Sequence, residues 1–209
     1  MENILFRILN NTEVWDDGFK YPGLRRCGYG FNQIAFTTMA KGYKDAAEQL
    51  ADSQCDYSEK YNEELLYPIV FCYRQSVELM LKAILLNLYL HKDSSLNTSE
   101  RKELAKRIKT HKLSTILCVI EDSLKKIHCI SCDELIAKIN IYISAIEEVD
   151  SESFAMRYPA NKELYADKYH KSIHGFDIQY TKEQFPVFWQ HLQELYLNTE
   201  RMWAEKVFI

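Results

Sequence analysis

Apolar residues recur along the chain at steps of three and four, and no segment alternates convincingly at period two. From Asn32 to about Ser53, Ile34, Met39, Tyr43, Ala46, Ala47 and Leu50 fall three to five apart or side by side and predict an amphipathic helix that runs through Gly42. The stretch from about Asn62 to Leu90 is the longest and most apolar. Leu and Ile on all its faces predict a helix enclosed by other elements, with Pro68 in a first turn or at a kink. "HKDSSLNTSERKELAKRIKT" is polar and reads as a short helix with Thr98 or Ser99 as N-cap, or as a mobile excursion.

Two further stripes follow: Leu113, Ile116, Leu117, Ile120, Leu124 and Ile127, then Leu135, Ile136, Ile139, Tyr142, Ile143 and Ile146 between Asp133 and Val149. The pattern breaks from Asp150 to Thr181, where Pro159 and Gly175 punctuate a long structured loop with room for a short hairpin near "IHGFDIQY". A last helix carries Phe185, Phe188, Trp189, Leu192, Leu195, Tyr196, Met202 and Trp203. The expected class is all-α: an up-down bundle of about five helices spanning residues 32–209, with a long irregular loop before the last helix. An irregular lead-in rich in Gly, Asn and aromatics occupies residues 1–31.

The most apolar helix contains three charges, Arg74, Glu78 and Lys82, each four residues after the last. A step of four turns a helix by about 400°, so the three form one polar ridge addressing one neighbour. Glu78 has a cation four before and four after it, and the ridge can neutralise itself as an internal ion network. Its apolar surroundings, Phe71, Tyr73, Val77, Leu81 and Leu85 among them, leave a narrow sector for solvent, which predicts partial burial with partners from elsewhere. His111 and Arg157 are the candidates. Charges at the centre also exclude a membrane span.

With 47% hydrophobic content in 209 residues, the chain can build one sizeable core. Twenty-six Lys and Arg against 30 Asp and Glu give a net charge of −4, so any polyanion site must be local. "MENILFRILNNTEVWDD" has acidic residues flanking a short apolar run and no small-residue cleavage site, which points to the cytoplasm. Six scattered cysteines fit reduced, mostly buried thiols. Cys129 and Cys132 form a lone CxxC beside His128 that lacks the second ligand pair of a structural zinc site. His170 and His174, near Asp167 and Asp177, fit solvated loop residues better than metal ligands. No metal or cofactor is called for, and Gly-rich phosphate loops, G-x-S-x-G and HExxH are all missing.

Three landmarks in order, "YRQSVELMLKAIL", "HKLSTIL" and "SFAMRYPANKE", resemble those of HEPN domains (higher eukaryotes and prokaryotes nucleotide-binding). The family's Glu-x-x-Leu-Lys element is matched by Glu78, Leu81 and Lys82, its His-x-Leu by His111 and Leu113, and its Arg-Tyr-Pro by Arg157, Tyr158 and Pro159. The match spans roughly residues 67–163. It implies a helical bundle that often forms a homodimer, with the Arg-Tyr-Pro loop near the dimer cleft. Many members are metal-independent RNases marked by an Arg and a His with four to six residues between them. This chain departs from that mark: twelve residues separate Arg157 from His170, and three separate Arg107 from His111, which share a face only if a helix continues through both. His111 fits a structural role at a helix start better than a catalytic one.

The expected function is therefore an HEPN-like domain that binds a nucleotide, an RNA or a partner protein without a clear catalytic motif, using Arg74, Glu78, Lys82, His111 and Arg157. A nucleotidyltransferase is the kind of protein partner the resemblance implies. One alternative is a metal-independent RNase of toxin or antiviral-defence type with an altered active site, Arg157 and His111 then being catalytic. The other is a purely structural or interaction protein whose ridge is an ion network.

Overall fold

The structure is a computed structural model that describes residues 33–55, 63–90, 98–126, 132–153, 155–158 and 176–204. These form six α-helices: α1 (Gln33–Cys55), α2 (Leu66–Leu90, entered through the 3₁₀ turn Glu63–Leu65), α3 (Thr98–Ile108), α4 (Leu113–Lys126), α5 (Asp133–Asp150) and α6 (Ile178–Ala204). The protein is an all-α helical bundle, with α3 as a short addition to five longer helices. Among the described residues no helix is long and apolar enough to cross a membrane. The lead-in and most of the loop before α6 lie outside the described residues.

α2 is the central element. Pro68 is its third residue, where a missing N–H costs no helical bond. Beyond it Ile69, Val77, Leu81, Ile84, Leu85 and Leu86 are fully buried, as a helix apolar on all faces requires. α4 and α5 bury Leu113, Ile116, Leu117, Ile120 and Leu124, and Leu135, Ile136, Ile139 and Ile143, along the stripes their spacing predicts.

α1 buries part of the expected stripe, with Ala47 inside and Tyr43 and Leu50 packed against the core. Ile34 and Met39 are exposed, and the seam inside is Ala40, Ala47 and Ala51. Steps of seven and four keep these alanines in line, and their small side chains let α1 lie close to α2, where larger residues would hold the backbones apart. Tyr43 meets Phe71 edge to face at its margin, with ring centroids 6.2 Å apart.

α6 starts earlier than its apolar stripe suggests. Asp177 accepts a hydrogen bond from the Tyr180 amide through Oδ1 (2.9 Å) and caps the helix, so Ile178 to Tyr180 are helical and not part of a hairpin. Tyr73 packs on Phe185 (4.2 Å between centroids) and Asn87 Nδ2 donates to Thr199 Oγ1 (3.2 Å). The interval is the same on both helices, which makes α2 and α6 parallel. Lys44 sits over Trp189 while Lys182 pairs with Asp52, so α1 is antiparallel to α6.

Candidate functional site

The ridge is buried completely rather than partly. Arg74 and Glu78 are 1% exposed and Lys82 is 6% exposed. Glu78 divides its two oxygens among three side chains: Oε2 accepts from Arg74 Nη1 (2.9 Å), while Oε1 accepts from Lys82 Nζ (2.7 Å) and lies 2.9 Å from His111 Nδ1. Burial opposes ionisation of this carboxyl, but hydrogen bonds and charge from Lys82, then Arg74, then His111 outweigh it and hold its pKa below the usual value of 4.5.

Arg74 reaches beyond its own helix. Nη2 donates to the His111 carbonyl (2.6 Å) and Nε to the Asp150 carbonyl (2.9 Å), with Asp150 Oδ2 at 3.7 Å. One guanidinium therefore ties the turn before α4 and the C-terminus of α5 to the middle of α2. The fork geometry of arginine suits this three-way task, which the compact ammonium of lysine cannot perform. Asp150 also turns the chain after α5: its Oδ1 accepts the Ala155 amide (3.2 Å), and the backbone passes through the left-handed region at Ser153 (φ 60°).

The start of α4 is held by the same neighbourhood. The Ser114 amide, one of the orphan donors of the first turn, is satisfied by Glu147 Oε1 from α5 at 2.8 Å. Thr110 Oγ1 takes the Lys112 amide (3.3 Å). The turn that presents His111 is thus fixed from both sides.

Of the two expected partners of the ridge, only His111 is one. Arg157 instead donates Nε to the Ser153 carbonyl (2.5 Å) and lays its guanidinium over the Phe71 ring (5.6 Å) and beside Tyr158 (5.6 Å). Its place beside the ridge is taken by Asp150. Arg157 and His111 nonetheless border the same stretch of α2, since Phe71 lies three residues before Arg74 and seven before Glu78. Both are exposed. Nε2 of His111 and the Nη groups of Arg157 make no hydrogen bond among the described residues.

Arg107 does not share a helical face with His111, because α3 ends at Ile108. It pairs with Glu103 (2.9 Å) and covers Tyr89 (5.8 Å). No group of side chains that could hold a metal occurs among the described residues, where Cys132 is buried, Cys72 half-buried and Cys118 exposed. His128, Cys129, His170 and His174 lie outside them.

Asp150, Glu147, Ser153 and Phe71 are the contributors that helical spacing does not flag. A signal for Asp150 exists: a carboxylate in the last turn of a helix opposes the macrodipole, so a dedicated cation nearby is expected. The two carbonyls that Arg74 binds leave no trace in side-chain chemistry.

Chemically, the buried cluster is balanced, with two cations, Arg74 and Lys82, against two carboxylates, Glu78 and Asp150. It has no net charge to offer a ligand and no solvent-open face. The available chemistry lies at its edge. There His111, oriented through Nδ1, carries a free Nε2, and Arg157, fixed by a carbonyl and an aromatic face, has free Nη donors. Comparison with family models, with curated proteins and with solved structures returns no match for this chain.

Proposed function

We propose that this chain is an HEPN-like helical domain that binds an anionic ligand of nucleotide or RNA type at the surface formed by Arg157 and His111. In this scheme Arg74, Glu78 and Lys82 hold that surface in shape and do not touch the ligand. The supporting observation is the state of Arg157: exposed, oriented by Ser153 and Phe71, and with its Nη donors unspent. An arginine held this way loses little rotamer freedom on meeting a phosphate and can engage it bidentately. His111 adds a second oriented nitrogen.

Anisotropy titration with a fluorescent mononucleotide and a labelled RNA provides the test. Arg157→Ala should weaken binding about tenfold, the order expected for one charge-assisted contact, and lower the thermal midpoint by only a few degrees, for the loss of the Ser153 hydrogen bond and the Phe71 contact. Equal affinity of the two proteins would exclude Arg157 as a ligand contact.

The purely structural alternative draws on one specific observation, the charge balance and dryness of the ridge. It differs in predicting that neither probe binds. Turnover is not part of the proposed function, since the Arg-to-His spacing of the RNases is missing; RNA cleavage without metal, lost on Arg157→Ala, would replace binding by catalysis.

A further inference from the structure

Among the described residues, six of the seven lysines outside residues 98–112 are matched to acids, Lys126 at the end of α4 being the exception. Lys41, Lys44, Lys82, Lys125, Lys138 and Lys182 each lie on a carboxylate. Lys102, Lys106, Lys109 and Lys112 do not: all four are exposed, and none makes an ion pair or side-chain hydrogen bond among the described residues. Residues 98–112 hold Arg101, Lys102, Lys106, Arg107, Lys109 and Lys112 against Glu100 and Glu103, a local net of +4 in a chain of net −4. Glu103 is already engaged by Arg107.

The first three lysines are four and three residues apart, so they line one face of α3 over about 10 Å. Like charges at that spacing repel and cost helix stability. The helix dipole rewards Lys106 and Lys109 at the C-terminal end of α3 but not Lys102, six residues before that end. Lys112 directly precedes the N-terminus of α4, where a cation is disfavoured. Fold stability therefore does not explain the set.

The face also lacks what other anionic partners require. Leu104 is buried and Ile108 half-buried, leaving Ala105 as the exposed apolar residue of the described stretch, too little to insert into a lipid surface. It presents no aromatic anchor of the kind that centres a protein interface. A row of lysine point charges without anchors is suited to a phosphate chain, bound by counterion release.

We propose that Lys102, Lys106, Lys109 and Lys112 form a track for the phosphate backbone of single-stranded RNA, leading it to His111. This rests on the anionic-ligand function proposed above and specifies a polyphosphate chain in place of a free nucleotide.

The test is anisotropy titration of the full chain with a labelled oligouridine of about 20 nucleotides and with a fluorescent mononucleotide, across salt concentrations. K102Q/K106Q/K109Q should weaken oligouridine binding at least tenfold at low salt. It should also flatten the dependence of log affinity on log salt by about two, at roughly 0.7 per phosphate contact on a single strand. Mononucleotide binding should stay unchanged, and the thermal midpoint should hold or rise, since Gln matches Lys in helix propensity. Unchanged oligouridine affinity and salt slope in the triple variant, with Arg157→Ala still impaired, would overturn the track and leave the binding function standing. A wild-type chain that binds neither probe would overturn both. Binding to phosphatidylserine vesicles with no binding to oligouridine would assign the lysines to a lipid surface and overturn the track.

Discussion

Glu78 has no solvent to fall back on, and its three partners have few other carboxylates to turn to. Replacing it with Gln keeps the shape but leaves Arg74 and Lys82 as buried cations with one formal acid, Asp150, between them. Breaking a buried pair from one side typically costs about 3–5 kcal/mol. For a domain of this size that lowers the thermal midpoint by about 6 °C or more; a shift under about 2 °C by calorimetry would contradict the account. The pH dependence has a defined sign. Since the folded pKa of Glu78 lies below the unfolded value, its stabilisation is complete above pH 4.5 and is lost as pH falls through the lowered folded value. Wild-type protein should therefore lose stability on acidification below pH 4.5 more steeply than Glu78→Gln, as thermal melts at a series of pH values would register.

Within single elements, α1 illustrates how backbone and packing trade. Its buried seam is alanine, so close approach of the backbones adds to what Phe36, Tyr43 and Leu50 contribute at the margin. Gly42 lies within α1, and a methyl group added there meets nothing within 4 Å. Gly42→Ala should therefore stabilise the protein by about 0.5–1 kcal/mol through helix propensity and reduced unfolded-state freedom. Urea denaturation would read this as a higher midpoint at unchanged slope. α3 is the opposite case. Leu104 is its one buried residue among the described side chains, against a continuous run of buried positions in α2 from Val77 to Leu88. Native-state hydrogen exchange should place α3 amides in a low-stability opening and α2 amides at or near global unfolding. Equal protection of the two helices would show that α3 is held by more than its described contacts.

For the whole molecule, the main feature is a division of charge. Cations inside the bundle are matched to carboxylates and backbone carbonyls, while the described lysines of α3 and its following turn, Lys102, Lys106, Lys109 and Lys112, are left unmatched at the surface. The internal set fixes the turn carrying His111 and the turn carrying Arg157 against the same helix. The external set leads along α3 towards that place. A chain of net −4 would otherwise repel a polyanion, and a locally positive track is how such a molecule can still meet one.

The class and most of the helices were legible in the sequence because burial of an apolar stripe depends on period, and period is a property of one chain segment. So was the alignment of Arg74, Glu78 and Lys82 on one face, which follows from helical geometry alone. In α1 the stripe was right at Ala47, Tyr43 and Leu50 but wrongly took in Ile34 and Met39 and passed over Ala40 and Ala51, because large apolar residues draw the eye while small size is what a close helix contact selects. Tertiary structure alone decided that the ridge is dry, that Asp150 and not Arg157 completes it, and that Arg74 spends two donors on the carbonyls of His111 and Asp150. Every residue carries a carbonyl, so an arginine that binds two of them leaves no mark in the residue pattern, and only the folded backbone can say which two it reaches.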